Sequence, residues 1–99
     1  MPEPESVLQN MTTATWSAAD GTAYEVALEG INHVVGAFSE LIGEAEAAGD
    51  AARVEDLAAQ QRAWTARRRS LTPADRTEVD TVTTECAQLL IRLRGAARD

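Results

Sequence analysis

The sequence predicts an all-α fold, a three-helix antiparallel bundle preceded by a mostly irregular N-terminal arm. Three observations predict it. From Tyr24 onward apolar residues recur at alternating spacings of four and three, the repeat of a helix that buries one face. Two short junctions, Gly49-Asp50 and Leu71-Thr72-Pro73, carry residue types that end one helix and start the next. No strand pair, internal repeat or low-complexity tract interrupts this pattern. A chain of 99 residues makes one domain with a modest core, since a domain this short buries only about two thirds of its unfolded surface.

Residues 1–19 are expected to form the arm. They hold Pro2 and Pro4, a threonine cluster and no helical period, yet Val7, Leu8, Met11 and Trp16 make them too apolar for a purely solvated tail. Part of the arm should therefore lie on its own bundle or on a partner.

The bundle domain, 20–99, is expected to hold helices over about 20–48, 51–70 and 73–94. In the first, Tyr24, Leu28, Ile31, Val35, Phe38, Ile42 and Ala45 form the stripe, broadened on one flank by Ala27, Val34 and Leu41. At about 100° per residue the arc is roughly 140° wide, enough to touch two helices at once, so this helix should be central. Its start is signalled three times over, at Ser17, Asp20 and Thr22. The second helix has a thinner stripe of Val54, Leu57, Trp64 and Leu71, with Gln61 and Arg68 falling inside it. Either their stems pack while the heads reach water, or they pair with another helix or chain. The third is expected to open with Thr72 as cap, Pro73 in the first turn and Asp75 at the third position. Val79, Val82, Cys86, Leu89, Leu90 and Leu93 line one face, and Gly95 should end it.

Net charge is −7, but its distribution is uneven. Residues 1–60 hold eleven acids and one arginine, whereas residues 61–99 hold five acids and eight arginines. The densest positive stretch is Arg67-Arg68-Arg69. Successive helical residues point about 100° apart, so the three diverge around the circumference and form no patch; only Arg69 shares a direction with another arginine, Arg62. Placed in a last turn, each offsets the helix dipole by about 0.3 to 1 kcal/mol. The acidic half of the chain would meet a phosphate backbone with repulsion, and there is no aromatic cluster for base stacking, so nucleic acid is not the expected partner.

Catalytic and cofactor signatures are missing: there is no P-loop, dinucleotide-binding glycine fingerprint, Cys-x-x-Cys, His-Glu-x-x-His or Gly-x-Ser-x-Gly. His33, in a row with Glu29, Glu40 and Glu44, reads as part of a solvated acidic face, because one histidine among scattered carboxylates is not a closed ligand set. Cys86, in mid-stripe, reads as a small buried hydrophobe. Gly36 and Gly43 each cost about 1 kcal/mol against alanine in a helix interior, which suggests a close approach by one of the chain's own helices or by a partner.

The expectation is a small, acidic, non-enzymatic protein without cofactor or metal that acts through protein–protein interaction, with Gly36, Gly43, Arg62, Arg68 and Arg69 as partner-contact residues. The wide arc, the glycine flank and the apolar arm favour a homodimer. The competing expectation is a nucleic-acid-associated regulator or antitoxin-like inhibitor whose acidic face covers a basic partner. One cysteine, no charged leader with an apolar core and no membrane-length apolar run point to a soluble, cytoplasmic protein.

Overall fold

The computed structural model of the protein describes residues 17–98. Three helices account for nearly all of them: α1 (Ala18–Ala47), α2 (Ala51–Ser70) and α3 (Arg76–Arg98). They form an all-α bundle in which consecutive helices alternate in direction. The arm expected over residues 1–19 lies outside the described residues, except that Ser17–Ala19 belong to the start of α1.

Of the three start signals for α1, Ser17 is the one used. Its hydroxyl accepts the Asp20 N–H at 3.1 Å, and its own N–H donates to Asp20 Oδ2 at 3.2 Å, a reciprocal box that satisfies two otherwise unpaired donors. The end of α1 is fixed by Gly49 at φ 72°, a left-handed conformation that glycine adopts without a Cβ penalty. Gly49 N–H then reaches Glu46 O and Asp50 N–H reaches Ala45 O, the paired closure of a Schellman turn. Asp50 also caps α2 through Oδ1, which accepts the Arg53 N–H at 3.1 Å.

The start of α3 differs from the sequence expectation. Asp75, not Thr72, caps the helix, its Oδ1 accepting the Glu78 N–H at 3.1 Å. Thr72, Pro73 and Ala74 form a separate turn closed by Asp75 N–H on Thr72 O. Two caps compete within four residues, and aspartate ranks above threonine at this position. At the other end Gly95 does not stop the helix, which continues to Arg98.

α1 is the central element. It packs closely on both α2 and α3, whereas the backbones of α2 and α3 do not come together. Its fully buried residues are Ala27, Ile31, Val34, Phe38, Leu41 and Ala45. Tyr24, Leu28, Val35 and Ile42, expected at the middle of the stripe, are only half-buried on its flank. The seam is rotated toward the Ala27, Val34 and Leu41 side because α3 covers that side as well. α3 contributes Val79, Val82, Cys86 and Leu93 to the core, and α2 contributes Leu57 alone.

Polar contacts record the register of both pairs. Gln61 Nε2 donates to Ser39 Oγ at 2.8 Å and to Val35 O at 2.9 Å, and Arg68 Nε donates to Asn32 Oδ1 at 3.2 Å. Moving seven residues along α2 thus moves the contact seven residues back along α1, a straight antiparallel alignment. On the other side Arg76 donates to Asp20 at 2.9 Å and Cys86 sits against Gly30, so ten residues forward on α3 match ten forward on α1. α1 and α3 run parallel.

Candidate protein-interaction surface

With α2 and α3 both packed on one side of α1, the opposite side of α1 stays open. At helical spacing it presents Glu25, Glu29, Glu40 and Glu44 around Gly36 and Gly43, all exposed. A Cβ built on either glycine would meet nothing within 4 Å. The close approach by one of the chain's own helices, weighed from the sequence, therefore does not occur at these positions. It occurs at Gly30, where a Cβ would stand 3.2 Å from Cys86 Cβ. Gly30 escapes a sequence reading because it lies on the edge of the stripe; its signal is its helical proximity to Ala27 and Val34.

The arginines go to three destinations, as their diverging directions require. Arg67 turns toward α3. Its Nη1 donates to Glu85 at 2.7 Å, Nη2 and Nε donate to Glu78 at 3.1 and 3.2 Å, and the guanidinium carbon stands 4.9 Å from the centre of the Trp64 ring. The bond to Glu85, followed by that to Glu78, pushes the Arg67 pKa further up, and Arg67 holds the Glu85 carboxyl below the usual glutamate range. The guanidinium thus ties together two helices whose backbones do not meet. Arg68 turns toward α1 and stays exposed, bonded to neutral Asn32. Arg62 and Arg69 are exposed on one face of α2 and take no part in the ion pairs among the described residues. Gln61, the other misfit of the α2 stripe, is likewise paired with α1, but half-buried. Sequence reasoning missed Arg67 as a tether; the available signal was Glu78 and Glu85, seven apart on the flank of the α3 stripe.

Asp20 is a second junction. The Ser17 N–H and then Arg76 hold its carboxyl below the usual aspartate range, and Arg76 also bonds Asp80 at 2.9 Å. The cap of α1 is thereby joined to the first turn of α3.

An apolar groove runs along the outer edge of the α1–α3 seam. One section, about 300 Å³, is lined by Val26, Gly30, His33, Cys86, Ala87 and Leu90 among others. The next, about 310 Å³, shares His33 and Leu90 and extends to Glu40 and Arg94. Val26, on its wall, is 52% exposed, and Ile91, one turn beyond Ala87 on the same edge of α3, is 72% exposed. The Cys86 thiol is buried, and burial pushes its pKa up, away from nucleophilic character. Among the described residues no three His, Cys, Asp or Glu side chains are arranged to hold a metal ion, and no helix is long and apolar enough to cross a membrane.

Comparison with protein-family models, with curated proteins and with solved structures finds no match to this chain.

Proposed function

We propose that this protein is a non-enzymatic binding module that works by protein–protein contact, using the open acidic face of α1. The observation that carries the proposal is the pair Gly36 and Gly43. Each weakens the helix interior, and neither is required by packing among the described residues. Bare backbone at these positions lets a partner segment approach closely, and the surrounding Glu25, Glu29, Glu40 and Glu44 favour a partner with basic side chains. Arg68, held at the Asn32 edge of this face, gives the rim one positive point that accepts an acidic residue of the partner. Arg62 and Arg69 offer a second such strip on α2.

The runner-up, an inhibitor of a nucleic-acid-binding protein, uses the same surface: a row of carboxylates on a helix competes with phosphate for a basic site. The two readings differ only in what the partner otherwise binds.

Affinity capture from the native host with tagged wild type and with Gly36→Leu/Gly43→Leu tests the proposal. Leucine is an excellent helix former and its Cβ meets nothing within 4 Å at either site among the described residues, so the variant should keep its fold while the face gains bulk. A stoichiometric partner retained by wild type and lost by the variant is the expected result. Equal capture by both would remove the α1 face from consideration.

A further inference from the structure

The groove between α1 and α3 borders the acidic face and shares Glu29, Gly36 and Glu40 with it, and we propose that its occupant is the chain's own N-terminal segment, residues 1–16. Four observations converge on this. The first is where the segment is attached. It joins the bundle at Ser17, and Val26 lies nine residues along α1, about 14 Å from the cap, with His33 about 24 Å away. Extended chain covers at most about 3.3 to 3.6 Å per residue, so Met11 reaches about 20 Å and Leu8 about 30 Å. Met11 can therefore seat at Val26, and Leu8 at His33 and Leu90.

The second is chemical. The segment carries Val7, Leu8, Met11 and Trp16, and the groove walls supply apolar contact from Val26, Ala87 and Leu90. An arm laid along the groove from Ser17 brings these apolar residues to the apolar section, short of the Glu40 and Arg94 at its far end.

The third concerns Trp16, which immediately precedes the Ser17 cap. A large apolar residue there ordinarily packs on the fourth residue of the helix. In this chain that residue is Gly21, which has no side chain to offer. The indole needs a surface elsewhere.

The fourth is the size of the groove. Val26 and Ile91 are the large hydrophobics exposed among the described residues. A stable interface between separate chains needs about 20 to 30 residues a side, which this strip does not approach. A tethered segment needs far less, because attachment gives it an effective concentration on the order of millimolar.

A nitroxide attached to Met11→Cys in the full chain tests this by nuclear magnetic resonance, the buried Cys86 thiol being shielded from the label. Signals of Val26, His33, Ala87 and Leu90 should lose most of their intensity, and Ile91→Asp combined with Val26→Asp should restore it. The same label at Leu8→Cys should shift the loss toward Leu90 and Arg94. Broadening confined to the first turn of α1 would overturn the proposal, as would broadening that survives the two aspartates. A mixture of isotope-labelled chains with separate nitroxide-labelled chains completes the test. Broadening in that mixture would assign the groove to a second copy instead.

Discussion

α3 places four side chains in the buried core and closes on α1 tightly enough that Gly30 is needed beside Cys86; α2 places one there, Leu57, and lines the rest of its contact with half-buried Val54, Gln61 and Trp64 and with Arg68. The two outer helices of one small bundle are thus held in different ways. The α3 seam rests chiefly on buried apolar area, which is strong, with its register marked by Gly30 against Cys86 and by the Arg76–Asp20 bond. The α2 seam rests on one buried apolar anchor, the half-buried Val54 and Trp64, and hydrogen bonds at 2.8 to 3.2 Å, which fix alignment but each contribute only about 0.5 to 1.5 kcal/mol net. Unequal seams imply unequal local stability.

The largest expected effect follows from that inequality. Leu57→Ala truncates the lone buried side chain of α2 and should cost about 2 to 4 kcal/mol. Native-state hydrogen exchange should show protection falling first across α2 while the amides of α1 and α3 keep most of theirs. A uniform loss over all three helices would show that the seams fail together and would remove the distinction.

Arg67 comes next, since it joins α2 to α3 where the backbones do not. Its carboxylate partners are nearly half exposed, so solvent screening holds each pair to at most about 1 kcal/mol, and Arg67→Ala should cost about 1 to 2 kcal/mol with the lost Trp64 contact included. Glu85 sharpens the test. With its carboxyl held below the ordinary range, the folded state binds that proton less readily than the unfolded chain. The contribution is therefore whole above about pH 4.3 and drains as the pH falls through the lowered value. Denaturant melts at pH 7 and pH 3 should show the gap between wild type and Arg67→Ala narrowing in acid. A gap of unchanged size would mean that the tether is held by stacking on Trp64 and not by charge.

These contrasts also mark what was legible in the sequence. The helix count, the central position of the first helix and the thinness of the second were visible because periodicity and stripe width report burial directly. The middle of the seam was misplaced because a wide arc touching two neighbours has no single centre until both are in place. The start of α3 was placed early because Thr72 and Asp75 are both competent caps. The Arg67 tether could not be read from α2, since a flank arginine acquires meaning only from carboxylates on a helix whose rotation is set by its own packing. Gly36 and Gly43 stand out by their cost in a helix interior, but among the described residues no helix comes close to either.

The glycines carry the smallest expected effect and separate the two faces of α1. Gly36→Ala and Gly43→Ala put a methyl group into open space, so each should raise stability by about 0.5 to 1 kcal/mol. Gly30→Ala gains the same helix preference but forces a Cβ to within 3.2 Å of Cys86 Cβ, and overpacking of that kind costs about 1 to 3 kcal/mol. The net for Gly30 should be neutral to destabilising by about 2 kcal/mol. Since 1 kcal/mol moves the midpoint of a domain this size by about 4 to 8 °C, thermal melts of the three variants resolve the order. A stabilising Gly30→Ala would show that α3 can shift outward, and the tight seam would then be looser than its geometry implies. If Gly36→Ala and Gly43→Ala stabilise the free protein as expected, the chain carries a correctable weakness at two positions that its own fold never uses. Under the proposed function that weakness leaves bare backbone for a partner, and a partner whose affinity falls in those same stabilised variants would tie the cost to the contact.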